Sequence, residues 1–458
     1  MPASVSRLAL YLWERPLTST GATSQPPTDG TPRPVTLHGW RHPAILTAAG
    51  LTIAAGFAQF GATAALGDVA KTFGAAGTTG KSIAAQVGLS GTTLGFGLAV
   101  IRLASLLSLP LTGLADHHGR RRTLIGCVTL GLALTATASL SPTYWWFVAL
   151  FAAGRPLLSA TNALSGVVAA EETRSRDRAK AIAIVTAGYG IGAGLTAIAR
   201  GTAGSHLSFR GLFALALIPL ALMPLLTRRL EEPERYQRLS HTDPGIAVIP
   251  PSSLRQLWAP GRLRTELRPR LWLLTALVLS FSFVSGPMIT FVFLYAENAL
   301  GMAKSATTLM VLAAGPLGLL GLLSGRWAAD NLGRRRAAMI TQAVVALAGI
   351  ITYSGTTPGA ITGYLLGLVA AASYAPAYGA LAAELFPTSI RATISGWLVA
   401  ANVLGAVCGL ITFGRIADTL SSFPIAATII CIPVIAASLF YPRLPETVGL
   451  ELEQSAPE

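Results

Sequence analysis

Twelve times along this chain an apolar run of about 20 residues recurs, long enough to cross about 30 Å of hydrocarbon. The runs lie near residues 43–66, 88–111, 123–141, 144–170, 179–200, 210–227, 271–296, 305–328, 336–355, 359–383, 392–414 and 422–441. No water is present in a bilayer core to bond a free N–H or C=O, so runs of this kind must be helical. Composition agrees. The chain is 52% hydrophobic and 12% charged with mean hydropathy +0.57, against roughly 25% charged residues in a soluble domain. The fold class read from this is an all-α membrane protein with twelve transmembrane helices.

A second feature arranges those helices. The turn after the second run reads Asp116-His117-His118-Gly119-Arg120-Arg121-Arg122, and Asp330-Asn331-Leu332-Gly333-Arg334-Arg335-Arg336 repeats it after the eighth, an offset of 214 residues (116 to 330). Ala170-Glu171 leads to Arg178-Ala179, and Ala383-Glu384 to Arg391-Ala392, an offset of 213 (171 to 384). Two separate motifs displaced by one distance imply a duplicated half. The expectation is two pseudo-symmetric six-helix bundles running in parallel.

Charge sets the orientation. Arg120–Arg122, Arg174, Arg176, Arg178, Lys180, Arg334–Arg336 and Arg391 fall in one set of connections. Lys71, Lys81, Arg200, Arg210, Lys304 and Arg415 fall in the other. The richer set is cytoplasmic by the positive-inside rule, and an even number of spans puts both termini there. The expected division is a flexible cytoplasmic tail at 1–40, a bundle at 41–227, a cytoplasmic linker at 228–270, a second bundle at 271–441 and a cytoplasmic tail at 442–458. The net charge of +14 is explained by these connections, so no nucleic acid is expected as a partner. Cys127, Cys408 and Cys431 form no paired framework, and the six histidines are scattered, so neither a metal nor a cofactor is expected. No nucleophile–base constellation is visible, which argues against an enzyme, and no phosphate-cradling Gly-x-x-x-x-Gly-Lys loop is present.

The doubled Asp-x-x-Gly-Arg-Arg turn and the twelve spans resemble the major facilitator superfamily. Glu384-Leu385-Phe386-Pro387-Thr388-Ser389-Ile390-Arg391 and Pro445-Glu446-Thr447-Val448-Gly449-Leu450 resemble signatures of its sugar-porter and metabolite–proton symporter branches, and Glu232-Pro233-Glu234-Arg235 is a weaker echo of a third. The resemblance implies a secondary transporter in the inner cell membrane of a bacterium. It would be a multi-pass monomer moving a small solute by alternating access, with a coupling proton in the symporter branches. It also implies a cytoplasmic gate built from Asp116, Gly119, Arg120, Glu171 and Arg178 and from Asp330, Gly333, Arg334, Glu384 and Arg391. In the family such an Asp lies near a helix N-terminus of the other half. Two departures bear on substrate. The paired glutamines that sugar porters carry before Ser-Gly in the seventh span are absent at Ser282-Phe283-Val284-Ser285-Gly286, and the first span carries no acid, its most polar side chain being Gln59.

Two arginines stand inside apolar runs, Arg102 in the second and Arg155 in the fourth. Each costs roughly 2.5–3.5 kcal/mol to insert at a helix centre, so each is expected to face a cavity or a partner. With no acid deep in any span, they point to an anionic substrate such as a carboxylate. The bland alternative is a structural partner. Gln59, Asn162, Tyr189, Tyr295, Tyr374, Tyr378, Trp397 and Asn402 are the other candidate cavity residues, each competing with ordinary helix packing. Import of an organic anion or other metabolite, export of drugs or metabolites by the same fold, and a membrane sensor that does not transport stay open, in that order.

Overall fold

The computed structural model describes residues 39–74, 87–203, 208–228, 230, 232, 267–386 and 388–448. The expected first tail falls outside these residues apart from 39 and 40. So do most of the expected linker and residues 449–458 of the second tail, along with the side chains of Asp116, Arg178 and Arg391.

All twelve runs are helical, and no strand occurs among the described residues. In the first half α1 is Pro43–Ala64. Helix α2 runs from Gly91–Ala104 through a 3₁₀ turn at Ser105–Leu107 into Ser108–His118. Then come α3 (Arg120–Ala138), α4 (Tyr144–Glu172), α5 (Ser175–Ala203) and α6 (Phe209–Ala214 and Leu217–Thr227). In the second half α7 is Arg268–Leu294, α8 Lys304–Asn331, α9 Arg334–Thr352, α10 Thr357–Glu384, α11 Thr388–Thr419 and α12 Phe423–Ser438. Eleven of the helices are long and apolar enough to span a membrane. Helix α3 falls short on composition because it opens on three arginines and carries Thr123, Thr129, Thr135 and Thr137, yet it is a 19-residue helix packed on α4.

The structure departs from the expected runs in three places. In α2 the 3₁₀ turn lies just before Pro110, which has no N–H for the Leu106 carbonyl and crowds it. Helix α6 breaks at residues 215–216. Several helices outrun their apolar stretch, α11 by four residues at its start (388 against 392), because backbone hydrogen bonding does not stop where hydrophobicity does.

Within each half the packing is equivalent: α1 lies against α5, and α7 against α11. Glycine permits both. A Cβ at Gly192 would sit 2.1 Å from the Ile53 carbonyl oxygen, and one at Gly409 2.0 Å from that of Phe283. Gly188 and Gly192 are therefore the packing surface of this glycine-rich stretch against α1, while Gly190 has nothing within 4 Å. The two halves meet chiefly along α2 against α11 and α5 against α8, two symmetry-related seams. Large apolar side chains such as Leu320, Leu323, Ile218 and Leu225 face outward, which a hydrocarbon solvent favours.

Candidate functional site

Three places along the axis carry the polar chemistry. At the basic end, Gly119 (φ +95°) and Gly333 (φ +97°) reverse the chain between α2 and α3 and between α8 and α9, in a backbone region that strains any other residue. The new helices are then capped by acids. Arg120 N–H donates to Glu232 and Arg121 N–H to Glu232 Oε2 at 3.1 Å; Arg334 N–H donates to Glu446 Oε1 at 2.9 Å. The Arg121 guanidinium donates to the Leu230 carbonyl and that of Arg335 to the Leu444 carbonyl. Arg120 pairs with Glu171 at 3.2 Å, and Arg334 with Glu384 at 3.5 Å and with Asp330. Thr447 donates its hydroxyl to Glu384. Each of these bonds stays within one half or ties it to the segment that follows it in the chain, and Asp330 turns to Arg334 of its own half, not to a helix of the other. Glu232 and Glu446 were not among the expected gate residues. The signal was present, since they stand at the same 214-residue offset (232 to 446) as the turns themselves.

Midway along the helices lies a cavity of about 160 Å³. The first half contributes Gln59, Phe60 and Thr63 from α1, Arg102 from α2, Arg155 from α4 and Tyr189 from α5. The second half contributes Ser285, Gly286, Ile289 and Thr290 from α7 and Ala406 and Leu410 from α11. A smaller chamber of about 60 Å³ adjoins it, sharing Gln59, Arg102 and Arg155 and walled by Leu98, Ile101 and Phe151. No carboxylate lines either chamber. The Nε atoms of Arg102 and Arg155 and the Nε2 of Gln59 are buried without a hydrogen-bond partner among the described residues. Buried donors are normally satisfied, so three orphans around one cavity mark a place where a bound group supplies acceptors.

Four of the ten expected cavity residues are thus brought together: Gln59, Arg102, Arg155 and Tyr189. The rest are placed elsewhere. Tyr295 is buried against Tyr353 and Phe423 and accepts from Gly355 N–H at 2.8 Å. Tyr374 stacks between Phe281 and Tyr378, its hydroxyl 2.9 Å from that of Tyr441. Trp397 donates to Thr275 at 2.9 Å. Asn162 and Asn402 are half-buried outside the cavity lining. Aromatic rings in spans serve packing here because their large apolar faces fill the bundle core.

At the end opposite the basic turns, Arg200 at the foot of α5 is 4% exposed. It donates to Asp68 Oδ2 at 3.0 and 2.9 Å and forks onto both oxygens of Glu297, in the π-helical turn Tyr295–Ala299 after α7. Lys304 reaches Asp68 at 3.1 Å, and Thr307 donates to Glu297 at 2.8 Å. Nearby, Asp418 at the end of α11 accepts from Gly91 N–H and Thr92 N–H, each at 2.7 Å, capping α2. Of these, Arg200–Glu297, Lys304–Asp68 and the Asp418 cap on α2 cross between the halves, while Arg200–Asp68 and Thr307–Glu297 each stay within one half. Asp68 and the pairing itself escaped sequence reasoning.

The family model described as Major Facilitator Superfamily matches residues 46–353, and that described as Sugar (and other) transporter matches 252–458. The 3-(3-hydroxy-phenyl)propionate transporter of Escherichia coli is 29% identical over 72% of this chain and 82% of its own length. The cis,cis-muconate transport protein of Acinetobacter baylyi is 26% identical over 70% of this chain and 80% of its own. Among solved structures, the inward open conformation of the xylose transporter XylE from E. coli superposes with a TM-score of 0.70 at 19% identity, covering 90% of this chain and 98% of that one. The family match runs from α1 through α9, across the same turns whose duplication fixes the architecture, and this chain belongs to the major facilitator superfamily as a membrane transporter, not an enzyme.

Proposed function

We propose that the protein imports a small organic carboxylate across the inner membrane by alternating access. The observation that carries this reading is the pair of arginines, Arg102 and Arg155, lining one acid-free cavity with unbonded Nε atoms beside the unbonded Nε2 of Gln59. Two guanidiniums among apolar walls attract an anion, and their planar donors match a carboxylate. The named substrates of two relatives, a phenylpropionate and a muconate, are carboxylates.

In this reading the basic turns face the cytoplasm, with both termini, the 1–40 and 442–458 tails and the 228–270 linker on that side. The bundles at 41–227 and 271–441 rock about the cavity as rigid halves. In this reading the conformation is inward-facing, with the halves joined at the far end by the Arg200–Glu297 and Lys304–Asp68 ion pairs and by the Asp418 cap on α2. Asp116, Gly119, Arg120, Glu171 and Arg178, with Asp330, Gly333, Arg334, Glu384 and Arg391, form the inner gate when that end closes.

The test is flux into proteoliposomes from a panel of aromatic and unsaturated carboxylates, with and without an inward proton gradient. Arg102→Ala and Arg155→Ala each remove a charge-assisted contact of about 1.5–3 kcal/mol, so each lowers uptake about 10- to 150-fold. Wild-type flux in both variants rejects the reading. Gradient-driven accumulation identifies a proton symporter; gradient-insensitive counterflow identifies an exchanger or uniporter.

A further inference from the structure

The cavity is polarised between the two halves. All three orphaned donors, Gln59 Nε2, Arg102 Nε and Arg155 Nε, belong to the first half and come from three different helices. The second half offers the cavity no charged group. Its Thr290 hydroxyl is already engaged, donating to the Gly286 carbonyl at 2.7 Å, and the rest of its wall is Ser285, Gly286, Ile289, Ala406 and Leu410. We infer that an organic carboxylate lies across the interface between the halves, its anionic head on Arg102, Arg155 and Gln59 and its uncharged tail against α7 and α11. In this arrangement Ser285 and Ile289 set the tail length accepted. This rests on the carboxylate reading and adds an orientation and a size filter to it.

Volume selects which chamber takes the tail. An apolar cavity of about 150 Å³ is large enough to bind benzene. Thr290 and Leu410 line both chambers; the one that adds Ser285, Ile289 and Ala406 is about 160 Å³, while the one that adds Leu98, Ile101 and Phe151 is about 60 Å³. A ring fits the first and not the second. Gly286 and Ala406 both line the wall of the larger chamber, and a Cβ on Gly286 would come 3.1 Å from the Ala406 Cβ, so α7 and α11 pack closely there. Ser285 and Ile289 line only the larger chamber, Leu98 only the smaller.

The experiment uses a graded series with one head and a lengthening tail: benzoate, phenylacetate, 3-phenylpropionate and 4-phenylbutyrate. Uptake is measured in proteoliposomes for the wild type, Ile289→Ala, Ser285→Leu, Leu98→Ala and Arg102→Ala, with thermal denaturation confirming that each variant is folded. Expected are a shift of preference by one or more methylenes toward longer tails in Ile289→Ala, at least fivefold in relative kcat/KM, and the opposite shift in Ser285→Leu. Arg102→Ala lowers every member by a common factor and leaves the order intact, and Leu98→Ala leaves it unchanged. The inference is overturned if the order follows Leu98→Ala instead, or if Ile289→Ala and Ser285→Leu both keep the wild-type order. Wild-type protein that carries none of the four acids, while carrying another class of solute, removes the carboxylate reading and the orientation together.

Discussion

The two ends of the molecule are built on opposite plans. At the basic end the same arrangement is made twice, once per half: a glycine turn, an acid capping the next helix, and an Arg–Glu pair to α4 or α10. At the other end the ionic cluster is made once and belongs to neither half. A residue 214 positions on from Asp68 is Ser282, one from Arg200 is Gly414, and 214 back from Lys304 is Ser90, none of them charged. Duplication therefore supplies rigid, self-contained corners, and departure from duplication supplies the link between bodies. A machine that rocks needs both, since a contact that must break cannot also be what holds a half together.

Removing Arg200 tests that contrast most severely. Asp68 and Glu297 lose their shared partner, and breaking a buried pair costs about 3–5 kcal/mol. Arg200→Ala is expected to shift the population toward opening of this end by about 100-fold or more. Spin labels at the exposed positions Leu140 and Ser354, in a background lacking the native cysteines, report it as a longer inter-half distance. An unchanged distance distribution would mean that the cluster is incidental to the state. A smaller effect of the same kind comes from Asp418→Asn. It removes a charged cap from the α2 N-terminus, about 1–2 kcal/mol and about 5- to 30-fold in the same population. The smallest change is expected from Glu446→Gln or Glu232→Gln. Each weakens a cap inside its own half by about 0.5–1 kcal/mol, which lowers the melting temperature slightly and leaves the label distance as in the wild type. If either lengthened that distance, the separation of the two ends would fail.

The parts that were legible in the sequence share a cause. Spans are visible because hydrocarbon leaves the backbone one choice, and Arg102 and Arg155 stand out because a charge in such a run is costly enough to demand a reason. The turn glycines are visible because the motif recurs. Even α3, weak by composition, was legible because it sits between a glycine turn and the next run. Of the five aromatic residues expected at the cavity, Tyr189 lines it while Tyr295, Tyr374, Tyr378 and Trp397 do not, because an aromatic ring in a span looks the same in sequence whether it faces a core or a ligand. Asp68 and Arg200 are 132 residues apart, and nothing local ties one to the other.

By itself the sequence determined a twelve-helix duplicated membrane protein with its charges sorted to one side, because these follow from solvation and repetition along the chain. The tertiary structure alone decided which polar groups share a space. It set both arginines and Gln59 around one acid-free cavity, faced them with an uncharged wall, and closed the far end with a buried arginine between two carboxylates. Those relations depend on how one half docks against the other, a geometry that no local pattern of residues encodes.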